Sequence, residues 1–341
     1  MLLKTIDELK RFVAVDADSK FKLKQSWVLE LENTEVGTIA PLLGEPLYAW
    51  LLAAYEAPGF NAQGATLAAQ LLRAVQAPLA RVAMATAVTM HQVSIDETGV
   101  HIVSTAEIKT AFQWQSNAMQ AVLRSQGQTD LDNLVAWLEA HRDDSAELRA
   151  WATSSAGQRH RRELFTCTAD FQEYENISQS RAVFEALGPA RRRLERFELG
   201  RVLSPAFLQE LRDQVLTRTL TSDNENLLRT YVYPALASLT IGRAVPELGL
   251  RFNDDGIDLT IARIDDSNAK EADAGLDQLL RNKVSQALDD GARYLRDLTD
   301  YLDRTASATR FATYFNSPAY TAPGQPEAIA HSPTAKIFKF R

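Results

Sequence analysis

The chain is poor in cysteine, with Cys167 alone among 341 residues. One thiol excludes an internal disulfide and fits a reducing compartment. Histidine is scarce too. His91, His101, His141, His160 and His331 are scattered without metal-type spacing, so no metal site is expected on them. Long apolar runs are missing. The best stretch, Ile39 to Tyr55, carries Glu45, Pro41 and Pro46, which argues against a membrane span. Met1 to Glu8 lacks the apolar core of a secretory signal. No phosphate loop, dinucleotide fingerprint or Gly-x-Ser-x-Gly elbow occurs. No catalytic residue, cofactor or metal is therefore expected, and a non-enzyme is the favoured reading. Positive charge is also in deficit: 37 Lys and Arg against 44 Asp and Glu give a formal charge of −7. A protein that grips nucleic acid through its phosphates usually presents a basic surface. This one does not, overall.

What is present is an ordinary globular composition, 45% hydrophobic and 24% charged, in a chain long enough for two domains. Its central feature is a stretch written twice. Leu71-Leu72-Arg73 and Pro78 recur as Leu227-Leu228-Arg229 and Pro234, both 156 residues later. Each proline is followed by a run rich in small residues: Ala80, Ala83, Ala85 and Ala87, then Ala235, Ala237, Gly242 and Ala244. A proline inside a helical pattern marks a kink or a helix junction, and small residues let a central helix approach its neighbours. The period then changes to two. Val93, Ile95, Val100 and Ile102 bracket a polar turn with Asp96 and Gly99. Leu250, Phe252, Ile257 and Leu259 bracket one with Asp254, Asp255 and Gly256. Alternation around a short polar turn reads as a β-hairpin, with the glycines closing it by positive φ.

The remaining pattern is helical. Ile6 to Lys10 begins a short helix that Val13 docks, and a second runs from about Phe21 into Val36. Leu42 to Pro46 breaks it before a third helix, Leu47 to Tyr55. Ile108 to His141 reads as a helical pair joined at Gln126-Gly127-Gln128-Thr129, with Thr129 as N-cap. The second copy answers it. Ser180 to Leu199 is broken at Gly188-Pro189, Leu203 to Phe207 matches Leu43 to Leu47, and Leu276–Leu288 with Tyr294–Leu302 form a second helical pair. The expected fold is thus mainly α, two duplicated helical bundles each with one β-hairpin. The boundaries are 1–145, a connection at 146–176 that packs through Trp151, Phe165 and Phe171, a second repeat at 177–313, and an extended arm at 314–341. The arm ends in alternating Lys336, Phe338 and Phe340, candidate contacts for a neighbouring subunit.

Two basic clusters, Arg159-His160-Arg161-Arg162 and Arg191-Arg192-Arg193, are candidate contacts to an acidic partner or, alternatively, to DNA. Asn253 to Gly256 fails as a calcium loop, because the first ligand position would fall on Arg251 and the last on Ala262.

Four segments resemble a family of functionally uncharacterised proteins from Bacteroidetes genomes and their phages. They are Ile6 to Lys10, Leu43 to Tyr48, Ile95 to Val103 with Glu107 to Phe112, and Asp170 to Phe184. The first part of each copy is also similar to the head–tail connector (adaptor) proteins of tailed phages. The resemblance implies a structural virion component, assembled in the host cytoplasm as a ring of its own copies on a portal or tail ring. DNA would pass by non-adhesive contact, and no membrane would be involved. A DNA-handling protein using the arginine clusters is the alternative, and an enzyme of unknown class the third reading.

Overall fold

The computed structural model describes residues 1–15, 23–90, 93–96, 99–102, 112–248, 250–253, 256–259 and 274–324. The chain is mainly helical and divides into two compact units, Met1–Ala186 and Leu187–Arg341.

The first unit opens with α1 (Ile6–Lys10), started by a reciprocal cap: Thr5 Oγ1 accepts from the Glu8 amide while Glu8 accepts from the Thr5 amide. Leu2, Leu3, Ile6, Leu9 and Val13 enter the core. Helix α2 (Gln25–Thr34) starts later than its apolar pattern suggests. It turns Trp27 and Leu31 inward but leaves Leu29 exposed. A π turn, Glu35–Ile39, links it to α3 (Ala40–Glu56). The expected break falls inside α3, at Gly44, whose φ of 71° and ψ of 154° are not helical. Helix α4 (Leu67–Met90) is the buried centre of the unit, with Leu71, Leu72, Val75, Leu79, Ala80 and Ala83 in the core.

Strands β1 (Val93–Asp96) and β2 (Gly99–Ile102) pair antiparallel, from Val93 opposite Ile102 to Asp96 opposite Gly99. The chain returns as α5 (Gln113–Ala140). Three shorter helices follow: α6 (Ala146–Thr153), capped by Ser145 Oγ, α7 (Thr168–Gln172), and α8 (Arg181–Leu194), which crosses the unit boundary. The connection is packed. Trp151, Phe165 and Phe171 are buried, and Trp151 Nε1 donates to the Leu42 carbonyl.

The second unit repeats the plan. A π turn, Glu195–Leu199, leads through α9 (Gly200–Leu203) to α10 (Pro205–Thr217). Helix α11 (Ser222–Leu227), capped by Thr221, leads into another π turn at Leu228–Val232 and then α12 (Tyr233–Leu248). Strands β3 (Leu250–Asn253) and β4 (Gly256–Leu259) pair antiparallel, with Asn253 opposite Gly256. Helices α13 (Ala274–Thr305) and α14 (Ala312–Phe315) complete the unit.

Several expectations are corrected. The helical pair of each half is one continuous helix, α5 or α13. Gly127 is not a joint, because a Cβ there would lie 2.7 Å from Val82 Cγ2. It is the point where α5 comes against α4. Thr129 caps nothing; its hydroxyl bonds back to the Ser125 carbonyl inside the helix. Helix α8 runs through Gly188-Pro189 unbroken; Pro189 is its ninth residue and costs it a single backbone bond. The two marker prolines also behave differently. Helix α4 continues through Pro78, whereas Pro234 follows a π turn, which shifts the carbonyl one turn back away from the ring. The expected arm does not begin at 314. Tyr314 is fully buried, its hydroxyl donates to Asp303 Oδ1 at 2.8 Å, and the Thr321 amide bonds the same oxygen. By contact, the units divide at Ala186 rather than around a 146–176 connection.

Two segments, Gln25–Glu56 and Leu67–Val88, are long and apolar enough by length and composition to cross a membrane. The first contains the Gly44 break and the buried carboxylate of Glu35, and most of the second is packed inside its unit.

Candidate functional site

Each half is organised around a buried carboxylate at the head of a π turn. Glu35 and Glu195 occupy the first position of their turns and are 3% and 0% exposed. Nine residues beyond each carboxylate, the chain breaks at Gly44 (φ 71°, ψ 154°) and Ser204 (φ 68°, ψ 150°). Leu47 and Leu51, then Phe207 and Leu211, follow at matching core positions. The offset is 195 − 35 = 160 and 204 − 44 = 160.

The partners of the two carboxylates differ. Glu35 accepts from the Leu2 amide at 2.8 Å and from the Tyr48 hydroxyl at 2.6 Å. Glu195 accepts from Arg212 Nε and Nη2 at 3.1 and 2.8 Å. In the first unit a second carboxylate extends the network. Glu8 accepts from Tyr55, from the Lys4 and Thr5 amides, and from Gln76 Nε2, which also bonds the Leu2 carbonyl. Burial raises the Glu8 pKa, but these donors together outweigh it and leave the carboxyl below its ordinary value. Burial and the bond to Glu35 push Tyr48 up to about 12. These groups tie the leading segment to α3 and α4.

The second recurring feature is the pair of long helices with a β pair between them. Close glycine contacts lock each pair. Gly127 of α5 meets Val82 of α4, and Gly291 of α13 meets Leu239 of α12, in both cases near the partner's backbone nitrogen. Gly242 meets Leu288 as well. Contacts 239 to 291 and 242 to 288 advance in opposite senses, so α12 and α13 are antiparallel. Arg81 adds an ion pair to Asp130 at 2.5 Å beside Gly127. Asp96, Gly99 and Gly256 sit at the last strand pairs, while Asp254 and Asp255 lie outside the described residues, as do Lys336, Phe338 and Phe340.

The arginines are distributed unequally. Arg161 makes two bonds to Glu139, at 3.2 and 3.1 Å, and His160 Nε2 lies 2.9 Å from the same carboxylate. His160 also stacks on Trp151. These residues fasten the end of α5 to the connection. Arg159 and Arg162 are exposed. Arg191 is 2% exposed, and none of Arg191, Arg192 and Arg193 lacks a partner. Among the described residues no group of three or more His, Cys, Asp and Glu is placed to hold a metal. A shallow cleft on α10 is lined by Gln209, Glu210, Asp213, Gln214 and Thr217. Its carboxylates are already bonded by Gln209 and Gln214.

The fold defines a class: a helical protein made of two copies of one unit, each a buried-carboxylate turn, a kinked helix and a long helix pair. The model of a family of unknown function, DUF6712, matches residues 39–161 and again 199–324, so the chain belongs to that family and is internally duplicated. Both matches begin at the last residue of a π turn, Ile39 or Leu199. No curated protein and no solved structure matches the chain.

Proposed function

We propose that the chain is a structural component of a phage or phage-derived particle: a head–tail connector, or adaptor, that assembles as a ring on a portal or tail ring. The observation that carries this reading is the repeated presentation of a two-stranded β pair by a long helix pair. A two-stranded sheet has two open edges, and an open edge accepts a further strand from a neighbouring chain. Duplication gives every copy two such elements. On this reading the similarity of the first part of each copy to connector proteins, drawn from the sequence pattern alone, points the same way, and the negative charge would let DNA pass a lumen without adhering. The partners on this reading are other copies of the chain and portal or tail-completion proteins, within a virion assembled in host cytoplasm.

A DNA-handling role is the second reading, favoured by the exposure of Arg159 and Arg162. The engagement of Arg161 with Glu139 and the burial of Arg191 weigh against it. Light scattering of the purified protein, alone and mixed with the portal or tail-ring protein of the same genome, tests the two. A defined multi-copy complex is expected. A chain that ignores the ring protein but binds DNA with a steep salt dependence would replace the first reading by the second.

A further inference from the structure

The π turns at Glu35–Ile39 and Glu195–Leu199 share a frame but carry opposite surfaces. Leu29, Glu32, Val36 and Gly37 stand 160 residues before Pro189, Arg192, Arg196 and Phe197. All eight are exposed. Positions 29, 32 and 36, like 189, 192 and 196, recur at intervals of three and four, so each set follows one face of its helix and turn. Glu35 and Glu195, one residue before Val36 and Arg196, are the buried ones. The exposed sets therefore do not serve the core of their own unit.

The first face is acidic and apolar. From Gln25 to Leu72 the chain has five glutamates and no Lys, Arg or His. Among the described residues Glu30 and Glu32 make no ion pair. Leu29 and Val36 are 53% and 71% exposed, and Gly37 has open space where a side chain would stand. The second face is basic and aromatic. It carries Arg192, Arg193 and Arg196, and Phe197, 64% exposed, has the Arg196 guanidinium 5.8 Å from its ring centre. Arg192 and Arg193 have partners in their own chain, whereas Arg196 pairs with no carboxylate among the described residues. Where the second face raises a ring, at 197, the first has no side chain, at 37. Charge, apolar surface and shape are complementary between the two faces. Like charges keep the basic face from its own kind.

We propose that the acidic face of one copy docks on the basic face of the next copy of this chain, with Glu32 beside Arg196 and Phe197 set over Val36 and Gly37. The proposal rests on the reading of the chain as an assembly component and names a surface by which copies meet. Two different patches on one chain repeat head to tail, which closes a ring or runs on as a filament, whereas a self-matching patch stops at a dimer. Each patch is small. The stretch from Gln25 to Gly37 spans ~20 Å on a helix ~10 Å wide, short of the ~800 Å² per partner of a standard interface. A single contact is therefore weak, and a closed ring holds each copy by two of them.

The test blocks each face in turn. Glu32→Arg with Val36→Arg gives the first face the residue type of the second, and Arg196→Ser with Phe197→Ser strips the second. Circular dichroism reads the fold, and sedimentation velocity up to about 1 mM protein reads association. The wild type is expected to form species beyond a dimer, which weaken as salt rises. Each folded variant alone should associate roughly tenfold more weakly. An equimolar mixture of the two should give a one-to-one pair and nothing larger, because each contributes one intact face. A wild type that stays monomeric or stops at a dimer, association indifferent to salt, or a folded variant associating as well as wild type overturns the proposal. If a variant unfolds, disulfide trapping decides. Val36→Cys with Phe197→Cys in a Cys167→Ser background should give a ladder of crosslinked multimers on oxidation, and either substitution alone no more than a dimer; the absence of a ladder overturns the proposal. Ring-protein binding is measured in parallel. A wild type that binds the ring protein without self-associating overturns this contact and leaves the connector reading standing. One that self-associates as expected yet ignores the ring protein counts against that reading alone.

Discussion

Replacing Glu195 by alanine removes a wholly buried carboxylate that pairs with Arg212. Arg212 loses two bonds, at 3.1 and 2.8 Å, and Arg191, itself buried, remains nearby on the preceding helix. Breaking a buried charge pair from one side costs about 3–5 kcal/mol, because the remaining charge is left uncompensated. For a unit of this size that corresponds to a loss of roughly 6–20 °C in midpoint temperature. Glu195→Gln keeps the volume and an acceptor, so it should cost about half as much, near 1.5–3 kcal/mol. Hydrogen exchange read by mass spectrometry locates the damage. Faster exchange is expected in the π turn at Glu195–Leu199 and in α10, with peptides from α1 to α4 unchanged. Equal acceleration in both units, or a midpoint within a degree of wild type, would refute the argument.

Further consequences follow from the same geometry. Ser204 holds a backbone conformation that is nearly exclusive to glycine, so Ser204→Gly should stabilise the second unit by about 1–2 kcal/mol, the released strain less a few tenths for the lost cap; a chemical-denaturation midpoint checks it. Gly44→Ala should do the reverse in the first unit, costing at least ~1–3 kcal/mol, since its Cβ would also sit 3.0 Å from Ala156 Cβ. The Glu8 carboxyl lies below its ordinary 4.5, so its contribution is complete above that pH and is lost as pH falls through the lowered folded value; acid unfolding of the first unit should be shallower in Glu8→Gln. Burial, then the Asp170 charge, push the Cys167 thiol from 9.0 to about 11, so its reaction with a disulfide reagent at pH 8 should be ~100-fold slower than in the unfolded chain.

The duplication was legible because apolar and proline landmarks keep their spacing, and Leu43 to Leu47 against Leu203 to Phe207 is a true structural match. The buried carboxylates escaped notice for a physical reason. Glu35-Val36-Gly37-Thr38-Ile39 and Glu195-Arg196-Phe197-Glu198-Leu199 share only the acid and the final aliphatic residue. Their partners come from unrelated positions, a tyrosine and a main-chain amide in one half and an arginine in the other. The signal available was the offset of 160, already visible at Leu43 and Leu203. Gly127 misled because glycine in a helix pattern reads as punctuation, when here it permits close approach. Its counterpart Gly291 stands 164 residues on, the same offset as Trp137 to Tyr301, and that agreement could have shown both glycines lying inside continuous helices. Which apolar residues of α5 stay open needed the structure, because Leu123 and Val122 look alike in sequence while one is buried and the other open.

The most direct test of the account is electron microscopy of the full-length protein mixed with the portal or tail-ring protein of the same genome. The account predicts class averages with many copies of the chain arranged around the ring. Bare rings, with the chain remaining free at saturating concentration, would contradict it.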